Sequence, residues 1–285
     1  MPRPGCALFD RRTLMVLMLG MVVACNIHGP GRAMADEPDP EASVCGALRE
    51  PLAFWAFRHG AGRVDAGRVA GIADIERIAF TTRDGRQLGG YKLRTSAATG
   101  YLLVAQGNAT LADQIARELQ YFRSLGVDVY LYDYRGYGLS QGKSRLGAIV
   151  SDYREIVASL NAQPYRRRLL YGMSMGGVIL LNAVGATGDY TALVVDSSPS
   201  RIARYGCPKI YDPVRQLPPD SSRIMIIGGE RDRVVPIAQV EELMRVAQSR
   251  GARVLRHPGL AHPFMDASAE LHRSRFQAVA DFLAR

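Results

Sequence analysis

A serine hydroxyl becomes a useful nucleophile only when a base can take its proton and fixed donors can hold the oxyanion it creates. One stretch of this chain is built for that. Gly172-Met173-Ser174-Met175-Gly176, followed by Gly177, matches G-x-S-x-G. Residues 168–171 before it read as a strand and residues 176–184 after it as a helix. Ser174 therefore falls on a sharp strand-to-helix turn. Small neighbours let the backbones come close, and the helix N-terminus offers N–H groups to developing negative charge.

The chain has five histidines, and His28 lies near the N-terminus, far from any strand. His262, in Arg256-His257-Pro258-Gly259-Leu260-Ala261-His262-Pro263-Phe264, sits in a loop after the last expected strand and is the preferred base. His257, at the strand end, is the local competitor. The acid that would hold the imidazole is Asp232, in Gly228-Gly229-Glu230-Arg231-Asp232, directly after a strand. Asp196, after the preceding strand, is an alternative and Glu230 a weaker one; Asp133 and Asp266 read as residues that hold loops. The oxyanion donors would be the backbone N–H of Met175, just after the serine, and that of Asn108, with Gly107 beside it for close approach.

These residues need a scaffold, and the pattern supplies strands and helices in alternation. Residues 78–94 form a hairpin around Asp84-Gly85. Strands are expected at 101–105, 127–132, 168–171, 192–195, 223–227 and 253–256. Helices are expected at 111–125, 148–160, 176–184, 236–249 and 269–283. This α/β alternation implies a mainly parallel sheet with helices on both faces and the antiparallel hairpin at one edge.

With 285 residues, 47% of them hydrophobic and 22% charged, the chain can bury a full core. Its net charge of +9 favours anionic surfaces. No basic run carries interleaved aromatics, and the scattered arginines read as a solvated surface rather than a nucleic-acid interface. Arg3, Arg11 and Arg12 precede an apolar run at residues 13–24. That run is short of the roughly 20 residues a membrane span needs but suits a signal peptide. Val22-Val23-Ala24-Cys25 resembles a bacterial lipobox, in which Cys25 would be lipidated; cleavage after Ala33-Met34-Ala35 is the rival. The chain then divides into a signal peptide at 1–24, a tether at 25–43 and one domain at 44–285. Either cleavage exports the protein, lipid-anchored at the cell envelope or soluble in the periplasm. Cys45 and Cys207 remain to pair in that oxidising compartment, or to stand as two unrelated buried thiols. No cysteine or histidine spacing suits a zinc site, so no metal is expected.

Five segments together carry a family resemblance: QGNAT at 106–110, DYRGYGLSQG at 133–142, GMSMGG at 172–177, GGERDRVVP at 228–236 and HPGLAHPF at 257–264. They resemble the HGNAG/DYRGYG branch of the α/β-hydrolases over residues 75–285. The resemblance implies an α/β-hydrolase fold with a short cap at about 197–222. It also implies esterase, thioesterase or lysophospholipase-like chemistry on an acyl ester, without metal or organic cofactor. Gln106 departs from the family's usual histidine and bears on loop geometry and substrate choice. So short a cap implies an open pocket, and a Cys45–Cys207 bond would pin it to the N-terminal segment. An acyltransferase on the same residues and a catalytically silent binding lipoprotein are the other readings. A dehalogenase is excluded, because the turn presents Ser174 rather than an aspartate.

Overall fold

The computed structural model describes residues 39–285. The leader at 1–24, the lipobox Cys25 and the tether through residue 38 lie outside the described residues. Eight strands form one sheet: β1 (Ile75–Thr81), β2 (Gln87–Leu93), β3 (Gly100–Ala105), β4 (Val127–Tyr132), β5 (Arg167–Met173), β6 (Ala192–Asp196), β7 (Ile224–Gly229) and β8 (Arg253–His257). Their order is β1-β2-β4-β3-β5-β6-β7-β8. β2 pairs antiparallel with β1 and β4, and every other pairing is parallel. The register aligns the C-terminal strand ends: Ala105 lies beside Gly172, Met173 beside Asp196 and Gly229 beside His257. The loops after β3, β5, β6, β7 and β8 thus leave the sheet along one edge, where ligands of open parallel sheets bind.

The helices are α1 (Arg49–Ala61), α2 (Ala112–Leu119), α3 (Leu146–Asn161), α4 (Met175–Leu180), α5 (Ile237–Ser249) and α6 (Ala269–Leu283). Alternate residues of β3 show how they are distributed. Tyr101, Leu103 and Ala105 join a core with buried side chains of α1, α3, α4 and α5, whereas Leu102 and Val104 join one with α2 and α6. Both faces are covered, so the central strands are apolar throughout rather than alternating.

Several expected boundaries shift. The helix expected over 111–125 ends at Leu119 and continues as a 3-10 segment, Gln120–Leu125, closed by Gly126 at φ 69°. The helix expected at 176–184 begins one residue earlier and loosens into a π-helical turn at Leu181–Gly185. α1 was not foreseen, because its apolar residues do not gather on one face. The tether boundary is also corrected: residues 39–43 already lie on the body. Glu41 is buried, accepts from the Lys143 N–H at 2.8 Å and pairs with Arg135 and Arg86. Nor are all the arginines solvated, since Arg135 and Arg275 are buried among carboxylates. Among the described residues no helix is long and apolar enough to cross a membrane.

Candidate active site

Ser174 sits between β5 and α4 with φ 53° and ψ −117°, a backbone strained for a residue with a Cβ. Its N–H donates to the Asp196 carbonyl at 2.8 Å, and its carbonyl accepts from the Ser198 hydroxyl at 2.7 Å. The neighbouring glycines are steric necessities. A Cβ on Gly176 would lie 1.9 Å from the Ala105 carbonyl, and one on Gly177 2.0 Å from Ser198 Oγ. One on Gly172 would meet the Gly176–Gly177 backbone at 2.7 Å. Only this spacing lets the turn pack against β3 and β6 while lifting the serine off the strand.

His262 is buried, and its Nδ1 lies 2.8 Å from Asp232 Oδ2. The other carboxylate oxygen accepts from the N–H groups of Val234 and Val235, each at 2.8 Å. Burial alone would raise the Asp232 pKa. The His262 hydrogen bond and the two backbone donors outweigh it and hold the group below the ordinary carboxylate value. The two loops meet because Gly229 has no side chain: a Cβ there would lie 2.1 Å from the Leu260 carbonyl. That carbonyl accepts from the Arg231 N–H at 3.0 Å.

The rival residues are engaged elsewhere. Asp196 is fully buried and accepts from Arg275 Nη1 at 2.7 and 2.9 Å and from the Tyr171 hydroxyl at 3.0 Å. Glu230 is paired with Arg256 at 2.8 Å, and His257 Nδ1 accepts from the Gly259 N–H at 3.0 Å. Asp133 holds its loop, accepting from the N–H groups of Ala112 and Leu139. Asp266 does likewise, accepting from Arg275 and from the Ala261 N–H. Arg275 thus ties α6, the end of β6 and the His262 loop together, and it also donates to the Ala261 carbonyl at 2.6 Å. Nothing in the sequence around Arg275 marked it for this role.

Ser174, Met175, His262 and Asn108 line one cavity of about 830 Å³. The loop after β3 runs beside the serine, so that a Cβ on Gly107 would lie 3.6 Å from Ser174 Cβ. Asn108 Oδ1 accepts from the Tyr137 hydroxyl at 2.6 Å, which fixes this loop where it lines the cavity. The Met175 N–H is the first of α4 and has no partner inside that helix. Gln106, the departure from the family pattern, turns away into the core and donates to the Tyr132 carbonyl at 2.9 Å. Among the described residues no hydrogen bond joins Ser174 to His262, and none of their acidic, cysteine or histidine groups is placed to hold a metal ion.

The cap expected at about 197–222 contains three short 3-10 turns. It does not cover the cavity by itself. α1 supplies a second wall through Glu50, Ala53, Phe54 and Phe57. A Cys45–Cys207 disulfide and a hydrogen bond from Arg49 to the Tyr205 carbonyl join that wall to the cap. The pocket is accordingly less open than a short cap alone implies.

The family described as Serine aminopeptidase, S33 matches residues 96–217, from the loop before β3 into the cap. An uncharacterized protein of Mycobacterium tuberculosis is 27% identical over 202 residues, covering 65% of this chain and 71% of that one. Protein bem46 of Schizosaccharomyces pombe is 25% identical over 239 residues, covering 74% and 77%. Among solved structures, an esterase of Pyrococcus furiosus superposes with a TM-score of 0.61 at 16% identity, covering 73% of this chain and 91% of the esterase. An α/β hydrolase from Penicillium gives 0.57 at 17% identity, covering 73% and 97%. The sheet order, the turn at Ser174 and these likenesses agree, and the chain has the α/β-hydrolase fold.

Proposed function

We propose that the protein is a serine hydrolase cleaving carboxylic ester or thioester bonds through an acyl-enzyme. The observation that carries this reading is one cavity into which Ser174, on its strained turn, and His262, held by Asp232, both open. His262 Nε2 takes the Ser174 proton as Oγ attacks the carbonyl carbon. The carbonyl electron pair moves to oxygen, where the N–H groups of Met175 and Asn108 receive it. Collapse of the tetrahedral intermediate expels the alcohol or thiol, which takes its proton from His262. Water then repeats the sequence on the acyl-serine and releases the acid. Asp232 stays ionised throughout and stabilises the imidazolium.

The cavity lining favours an acyl ester over an amino-terminal peptide. An aminopeptidase needs a carboxylate for the substrate's ammonium group. Glu50 is the one acidic residue on this wall, and both its oxygens accept backbone N–H groups, from Cys45 at 2.7 Å and Leu146 at 2.6 Å. The lining is otherwise largely apolar, with Arg49 and Arg204 near the cap. The same reading includes export on the leader and lipidation of Cys25; the leader pattern and a disulfide suited to an oxidising compartment support it.

Fluorophosphonate labelling followed by intact mass tests the hydrolase reading. One adduct, absent in Ser174→Ala, is expected, together with turnover of p-nitrophenyl esters. A folded protein that takes up no adduct would end it.

A further inference from the structure

The large apolar side chains exposed among the described residues are not scattered. There are eight, and seven of them border two adjoining cavities. Phe57, Tyr205, Val234 and Met265 stand on the rim of the catalytic cavity. Leu48, Leu52 and Trp55 line the second, a groove of about 480 Å³ between α1 and residues 142–145. Phe54 lines both. Leu48 is 86% exposed, Leu52 66% and Trp55 56%. α1 therefore carries two apolar stripes, one toward the catalytic cavity and one toward solvent. A patch of this kind on an otherwise charged surface marks a contact with something apolar.

The charges around it say what that is. The groove is lined by Arg58, Lys143 and Arg145 and by no aspartate or glutamate. None of the three is in an ion pair among the described residues, and Arg145 Nε is buried without a hydrogen-bond partner. Apolar side chains beside unpaired cations match the boundary of an anionic bilayer, with acyl chains below and phosphates level with the basic groups. A second copy docking face to face would set these cations against their own kind. The chain outside the structure points the same way. Residue 39 lies on the α1 side of the body, bonded through Glu41 to the 143 region, and Cys25 is only 14 residues before it. Fully extended, that stretch reaches about 50 Å at most, so an acyl anchor there would hold the body within that distance of the membrane.

From these observations we infer that the outer face of α1 and the adjoining rim dock on an anionic phospholipid bilayer, and that the catalytic cavity takes lipid-like esters from it. The docking stands on the surface itself; the delivery of substrate rests on the proposed hydrolase activity.

Trp55 is the single tryptophan of the chain, so its emission reports this face directly. The compact unit begins at Pro38, so a chain starting at residue 25 keeps the whole fold. That chain, carrying Cys25→Ser to remove the anchor, is mixed with phosphatidylcholine vesicles with and without phosphatidylglycerol. A blue shift and co-sedimentation are expected with phosphatidylglycerol and should fade with added salt. The double variant Leu48→Ser, Leu52→Ser keeps the probe and should bind at least about tenfold more weakly. It should still hydrolyse a soluble short-chain ester at the wild-type rate. No shift on either vesicle, or an equal shift in the double variant, would overturn the proposal. A shift that grows with protein concentration without vesicles would assign the face to a second copy instead. Ser174→Ala should shift like wild type. Failed fluorophosphonate labelling with an intact shift would therefore sink the hydrolase reading and leave the docking standing.

Discussion

Gly176 follows Ser174 by two residues and Gly107 lies beside it, yet they differ in what they tolerate. Alanine at 176 would drive its methyl to 1.9 Å from the Ala105 carbonyl, a backbone atom that cannot yield. Alanine at 107 would make an ordinary contact of 3.6 Å with Ser174 Cβ. Gly176→Ala should therefore abolish fluorophosphonate labelling and lower the melting temperature, whereas Gly107→Ala should melt within a degree or two of wild type. Asp232→Asn keeps an oxygen for the Val234 and Val235 N–H groups but cannot hold the imidazole in its working tautomer. It should lower kcat by about 10⁴ with the fold intact, as steady-state kinetics and circular dichroism would show. The turn at Ser174 was legible because the glycines that permit it are neighbours in the chain. Asp232 was already preferred to Asp196, but what engages Asp196 was hidden. Its partner is Arg275, 79 residues further on, which occupies that carboxylate.

At the scale of elements, α6 does more than cover the sheet. Arg275→Met would leave Asp196 and Asp266 buried without their cation. A loss of about 3–5 kcal/mol in urea unfolding is expected, with a fall in kcat as the His262 loop loosens. The periodicity of α6 was plain in the sequence, down to its ends at Ala269 and Leu283. What one arginine on it reaches was hidden, because its partners lie on β6 and the 261–266 loop. α1 failed to show for a different reason. Helical periodicity is visible when one face is apolar, and here Phe54 and Phe57 face the cavity while Leu48, Leu52 and Trp55 face outward. Cys45→Ser with Cys207→Ser should cost about 2–5 kcal/mol in denaturant unfolding, toward the upper end because the bond closes a loop of 162 residues.

Over the whole molecule, ion clusters join distant parts of the chain. Arg135 gathers Asp84, Asp152 and Glu41, bringing the hairpin, α3 and the N-terminal segment together. Its hydrogen bonds lower the Asp84 pKa to about 2 from 3.8. A carboxyl so lowered contributes stability above pH 3.8 that is lost as pH falls through about 2. Asp84→Asn should therefore melt below wild type at neutral pH, with the gap closing as thermal melts are taken toward pH 2. The α/β layering was open to reading because it depends on local alternation of apolar runs. These clusters were not, because a buried arginine and a solvated one look alike in a sequence. The disulfide adds an order in time. Cys45 leaves the ribosome 162 residues before the cysteine it pairs with. A nascent chain that has not reached residue 207 carries an unpaired thiol at the root of α1 and lacks the cap wall of the cavity. The finished pocket is thus a product of the completed, oxidised polypeptide, and a chain cut short before residue 207 would have none.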